Sequence, residues 1–272
     1  YYSRRQASTS EYFTGGGHMH PTLIGISLFA TLLSTISYLS VPGEAIGKGP
    51  VWMLNMLAFP VIYLIVGYVI IPVYMRRRVT SAYELLEAKL GLGIRLLGAF
   101  MFIILRLVWM ALLVYLAAAA MTVMMGVNAS WIPVITLCTG LVAVIYTSLG
   151  GIRAVVITDT FQTLLMLGGA WLVIGIVTYT LGGFGWFPTT WQPQWDEQPL
   201  FSFDPGVRLS VIGSLLASIT WVVCTAAADQ TAIQRFMATK DADAARKSYK
   251  TQFIVNAVVV STLWVTGFAL MG

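Results

Sequence analysis

Seven apolar stretches of near 20 residues or more follow one another along this chain, and the short segments between them hold nearly all of its charge. In hydrocarbon a peptide group has no water to bond, so a spanning segment must be a helix of about 20 mostly apolar residues. The stretches lie near 22–42, 51–75, 95–125, 131–149, 152–181, 208–236 and 250–272. Pro42-Gly43, Gly91-Leu92-Gly93, Gly150-Gly151 and Gly182-Gly183 punctuate them. Only 10% of residues are charged while 58% are apolar. A soluble domain carries roughly 25% charge, so this chain lacks the coat that water requires. The expected fold class is an all-α polytopic membrane protein.

The formal net charge of +5 and a pI near 9.3 raise the question of nucleic acid. The placement of the charges answers it. If every stretch spans once, thirteen basic residues fall on one face and only Lys48 and Arg208 on the other. The thirteen include Arg4, Arg5, Arg76, Arg77, Arg78, Arg153 and Arg235. By the positive-inside rule that face is cytoplasmic, as is the segment before the first helix. The expected location is the plasma (cell inner) membrane, with the bilayer as partner and no nucleic acid. No obligate protein partner is inferred. The outward loop from Gly182 to Gly206 carries Trp186, Trp191 and Trp195 with Asp196, Glu197 and Asp204, which suits an interfacial aromatic belt. Cys138 and Cys224 lack metal or redox spacing. His18 and His20 supply two ligands without a third. Asn128-Ala129-Ser130 forms an outward sequon. The chain opens on Tyr1-Tyr2-Ser3 and stops at Gly272 within an apolar run, so truncation at both ends is expected.

Polar groups inside the apolar stretches carry the functional information, because they cost energy to place there. The first helix concentrates Ser27, Thr31, Ser34, Thr35 and Ser37, and Pro42-Gly43 is expected to interrupt it. An interrupted helix frees carbonyls that can replace a cation's hydration shell; the same hydroxyls can instead bond back to their own helix. The sixth stretch carries Thr220, Thr225, Asp229, Gln230, Gln234 and Arg235, and Arg235 is expected to pair with Asp229 or reach the interface. Arg106 lies about 11 residues into the third helix, roughly 16 Å deep. Unpaired, it would cost from ~3 to over 10 kcal/mol. A structural carboxylate and an anionic substrate both meet that need. Asp159 lies about eight residues into the fifth helix, with Gln162 on its face. It reads as an ion-pathway residue, or as a salt-bridge partner of Arg106 or Arg153.

Four segments resemble the sodium:solute symporter family. They are Ser10-Glu11-Tyr12-Phe13-Thr14-Gly15-Gly16; Gly25 to Thr31 continuing to Pro42-Gly43-Glu44-Ala45; Gly150-Gly151-Ile152-Arg153 through Asp159 to Gln162; and Asp229-Gln230 with Ile233-Gln234-Arg235. The resemblance implies the N-terminal part of a LeuT-like five-plus-five inverted-repeat transporter. The first repeat would cover about 20–182 and the second would begin at about 207–272. A leading helix and everything from the eighth helix onward would be absent. By the same resemblance sodium is held by the carbonyls of Ala30 and Leu33, with remaining ligands beyond residue 272 and Asp159 on the ion's route. Solute contacts are expected at Ser34, Ser37, Arg106 and Thr225. Leu32, Ser37 and Val222 stand where sugar carriers have amides, and acid carriers have an arginine on the third helix.

The resemblance implies a sodium-coupled symporter importing a small organic solute, with an organic anion such as a monocarboxylate favoured. Its alternatives are a sodium/sugar or sodium/amino-acid symporter, or a transporter-like input domain of a membrane sensor kinase. Sodium is the coupling ion and no other cofactor is implied. No phosphate-binding glycine loop and no nucleophile–base pair is present, so enzyme chemistry has no support.

Overall fold

The computed structural model describes residues 9–77, 79, 81–197, 199–204, 206–207 and 210–272. Arg4, Arg5, Arg78 and Arg208 of the charge tally lie outside them, as do the side chains of Ser10, Asp196 and Glu197. Every regular element among the described residues is helical. A short α1 (Thr9–Thr14) precedes α2 (Pro21–Leu32) and α3 (Thr35–Lys48). A 3-10 run (Gly49–Ala58), α4 (Phe59–Ile65), a π-turn (Val66–Ile70) and α5 (Ile71–Arg77) form the second span. Next come α6 (Glu84–Leu90), α7 (Leu92–Met125), α8 (Ile132–Thr180), α9 (Val211–Ala228), α10 (Gln230–Met237) and α11 (Ala242–Ala269).

Among the described residues five helices are long and apolar enough to cross a membrane, and the count is six if the pair α2–α3, bent by 70°, is one broken span. That number counts α8 once. Its 49 residues would measure about 73 Å if straight, more than twice the ~30 Å hydrocarbon core. Gly151, at φ 60° and ψ −173°, divides it. A Cβ on Gly150 would lie 2.4 Å from the Ala154 Cβ, so the chain reverses too tightly there for a side chain. With α8 as two crossings the spans are the seven that the apolar pattern predicts.

The first helix breaks elsewhere than expected. Pro42 sits inside α3, and the break falls at Leu33-Ser34, where both residues are extended. The cause is local: Ser34 Oγ accepts the amide of Ser37 at 3.3 Å and so starts a new helix as its N-cap. The second span is irregular for a different reason. Pro72 removes the amide that Tyr68 would have received, and the π-turn just before it absorbs the mismatch.

Helix α11 ties both halves of the broken helix together. Gly25 of α2 approaches the Ser248 carbonyl so closely that a Cβ would meet it at 2.4 Å. At the other end a Cβ on Gly267 would lie 2.5 Å from the Pro42 carbonyl of α3. One apolar core, including Ile24, Leu28, Ile62, Phe236 and Tyr249, lies on the basic face. A second surrounds Phe29, Val41, Trp264 and Phe268. Trp186 and Trp195 belong to this second core rather than to a lipid-facing belt. Each is about 5% exposed, and their indoles donate to Thr178 Oγ1 at 3.0 Å and to the Ile46 carbonyl at 3.1 Å. Only Trp191 stays exposed, packed edge-on to Trp195. By contrast α7 buries only Ala118 and Thr122, a surface suited to hydrocarbon.

Gly151 occupies a backbone region that only glycine enters freely, at about 1–3 kcal/mol for other residues. Gly151→Ala should therefore lower the melting temperature in detergent, whereas Gly168→Ala, in open space on the same helix, should leave it within a degree or two; equal effects would remove the argument.

Candidate functional site

A helix end leaves its last four carbonyls without intrahelical partners. At the break, the Leu33 amide bonds to the Phe29 carbonyl at 2.9 Å, so the orphan set runs from Ala30 to Leu33. Ala30 and Leu33, the expected sodium ligands, are thus the first and last of four carbonyls that the break frees. Beside them opens a cavity of about 650 Å³ lined by Leu33, Ser37, Glu44, Asn55, Ser218 and Asn256, among others. Ser37 lies on its wall, and Ser34 sits behind it with the two hydroxyl oxygens 3.2 Å apart. Leu32 and Val222 also line it.

The other predicted residues gather nearer the basic face. Asp159 accepts a hydrogen bond from Ser27 Oγ at 2.5 Å and pairs with Arg235 at 3.3 Å. Ser27 precedes Ala30 by three residues, so this carboxylate stands one helical turn from the freed carbonyls. Arg235 also donates through Nε to Ser27 Oγ at 2.9 Å and through its guanidinium to the Thr231 carbonyl at 3.0 Å. Its side chain is 8% exposed. Arg106 pairs with Asp229 and donates to Thr231 Oγ1 at 3.1 Å. Asp229 in turn accepts from the Thr231 amide at 2.8 Å and its hydroxyl at 2.5 Å.

The expected pairings are therefore exchanged. Asp159 takes Arg235, Asp229 takes Arg106, and Arg153 pairs with Glu11 at 3.5 Å while donating to the Gly15 carbonyl at 3.1 Å. Sequence distance misleads here: Asp229 lies six residues from Arg235, but the chain is extended at Asp229 and turns the two apart. Thr225 offers its carbonyl to the Asp229 amide at 2.9 Å. It stands at the sixth-helix break rather than on the cavity wall. His20 accepts the Thr22 amide and caps α2, and among the described residues no three potential metal-binding side chains cluster.

The two breaks differ in how their carbonyls are met. At the sixth, Tyr74 and Tyr83 donate to the Ala227 and Ala228 carbonyls at 2.5 and 3.3 Å. The Gln230 side chain accepts the Ala82 amide at 2.8 Å. Sequence reasoning missed the contributions of Asn55, Ser218 and Asn256 to the cavity. Each is a polar residue within an apolar run, the same signal that singled out Arg106 and Asp159, but weaker because an amide or hydroxyl costs less to bury than a charge.

The sodium:solute symporter family model matches residues 12–271. The chain is 31% identical over 284 residues to the sodium/sialic acid symporter of Proteus mirabilis (strain HI4320), covering 99% of this chain and 53% of that protein. It is 27% identical over 269 residues to sodium-coupled monocarboxylate transporter 1 of Xenopus laevis, covering 97% and 42%. Against the solved substrate-bound outward-open state of a Na+-coupled sialic acid symporter the TM-score is 0.84 at 27% identity, over 100% of this chain and 57% of that one. The chain spans about half the length of the curated relatives it matches. The LeuT-like architecture is thereby shown. This multi-pass membrane chain, with its first helix broken beside a cavity, belongs to the sodium:solute symporter family.

Proposed function

We propose that the protein is a sodium-coupled secondary symporter that imports a small organic solute by alternating access. The observation that carries this reading is the break at Leu33-Ser34, which frees the carbonyls of Ala30 to Leu33 at a helix end where Leu32 and Leu33 border a cavity of mixed lining. Two of them, Ala30 and Leu33, would hold the ion, with Asp159 one turn nearer the basic face as the next station on its route. In this reading the basic face is cytoplasmic. The spans to about residue 182 form one repeat, and those from about 207 begin its inverted partner.

The solute would lie against Ser37, held in place by Ser34, with Asn55, Ser218 and Asn256 offering hydrogen bonds from three other elements. Thr225 would act from the adjoining sixth-helix break. An organic acid remains the second reading, supported by the sialic acid and monocarboxylate carriers among the relatives. Its carboxylate would have to be met by neutral donors, or else draw Arg106 away from Asp229. Sodium and solute favour one state only through their different affinities for the two. The membrane potential then adds about 2.3 kcal/mol per charge per 100 mV.

In proteoliposomes of the native protein, a sodium gradient should drive saturable uptake from a panel of labelled acids, amino acids and sugars. Asp159→Asn should remove the sodium stimulation; stimulation equal to that of the unmodified protein would overturn the ion route. Ser37→Ala should raise the half-saturating solute concentration about fivefold, the worth of one hydrogen bond of roughly 1 kcal/mol. An unchanged value would place the solute elsewhere.

A further inference from the structure

Four charged side chains and two hydroxyl residues form one unbroken chain of contacts across four spans. Arg106 on α7 holds Asp229, and Asp229 holds Thr231. The Thr231 carbonyl holds Arg235, and Arg235 holds both Ser27 on α2 and Asp159 on α8. Two arginines and two aspartates balance within it. The segment that bridges the two ion pairs is α10, only eight residues long and separated from α9 by the extended Asp229.

A helix of that length is not stable by itself, so its position depends on what grips it. At its far end Gln234 donates to the Phe13 carbonyl at 2.6 Å, and the Ala238 carbonyl accepts the Met19 amide at 2.9 Å. At its near end the charged grip is Arg106. Arg235 rides on this helix one turn beyond Thr231 and contacts Oδ2 of Asp159, offsetting the charge that would attract a cation there. Whatever fixes α10 therefore decides whether that oxygen stays covered.

We propose that Arg106 is a positioning residue, a latch that holds Asp229 and so keeps Arg235 over Asp159, and that it acts on cation access rather than on the solute. This rests on the symporter reading above for its consequence, though not for its geometry. Arg106 does not line the cavity beside the first-helix break. Removing its charge strands Asp229, and the nearest remaining cation on the same short helix is Arg235. The carboxylate then competes with Asp159 for that guanidinium.

The test combines hydrogen exchange with uptake in the native protein. Arg106→Gln should speed exchange across residues 230–237 at least threefold. It should also shift the sodium concentration for half-maximal uptake at least threefold, with the half-saturating solute concentration at saturating sodium unchanged within twofold. Arg106→Lys should restore most of both. Adding Asp229→Asn to Arg106→Gln should bring the sodium dependence back toward the unmodified protein, because no stranded charge remains to compete for Arg235, while exchange across residues 230–237 stays raised because the grip is still missing. Loss of solute affinity with unchanged exchange would overturn the latch and make Arg106 a solute contact. Additive effects on the sodium dependence in the double variant would overturn it as well. Absence of sodium-driven uptake in the unmodified protein would count against the symporter reading instead, and the exchange data would still decide whether Arg106 holds α10.

Discussion

Every peptide group in hydrocarbon must find a partner, and a helix that stops midway breaks this rule at its end. This structure stops two helices midway and settles the debt differently at each. The carbonyls of Ala227 and Ala228 at the sixth-helix break receive the hydroxyls of Tyr74 and Tyr83, so protein groups close that break. The carbonyls that the first-helix break frees lie at its end instead, where Leu32 and Leu33 line a cavity. That asymmetry is what turns one break into a candidate ion site and the other into a joint. A joint needs fixed bonds to define its position; an ion site needs oxygen atoms whose bonds are left for the ion.

The charged residues obey a related economy. Removing one partner from a buried ion pair commonly costs 3–5 kcal/mol, because the remaining charge has no solvent to turn to. Such pairs are poor glue compared with apolar packing, yet they are selective about which groups meet. Here they connect α2, α7, α8 and α10 at the point where the broken helices approach. The glycine contacts do the complementary work. Gly25 and Gly267 bring α11 against both halves of the first helix at distances that exclude any side chain, and close packing of that kind resists gradual deformation.

Much of this was legible in the chain. The apolar runs located the spans, and Gly150-Gly151 located the reversal between the fourth and fifth, because a reversal that tight admits no Cβ at Gly150. The polar residues within the runs named Asp159, Arg106 and Asp229 as groups that must find partners. Which partner each found was not legible. Pairing depends on the relative rotation of helices far apart in sequence, and one extended residue at Asp229 was enough to exchange the two carboxylates between the two arginines. The break in the first helix was misplaced for a similar reason. Proline is the conspicuous breaker, but Pro42 merely forgoes one bond inside α3, whereas the modest Ser34 starts a new helix by capping it. The buried Trp186 and Trp195 show the limit of composition: tryptophan in an outward loop reads as an interfacial belt until the loop folds back onto α8 and α3.

These contacts divide the molecule into parts that differ in how readily they rearrange. The first helix and α11 meet through close glycine contacts at two points, Gly25 against Ser248 and Gly267 against Pro42, so α2, α3 and α11 should travel together. The bridge between α10 and α7 is polar instead: Arg106 to Asp229 and Thr231. Polar networks of matched donors and acceptors can exchange partners in discrete steps without opening a void, which packed cores cannot do, and switching transitions are built from such two-arrangement elements. The alternating access proposed above, in which one ion site opens to opposite sides in turn, needs both kinds of contact. The tight crossings would carry the site as a unit, and the charge ladder beside it would change hands.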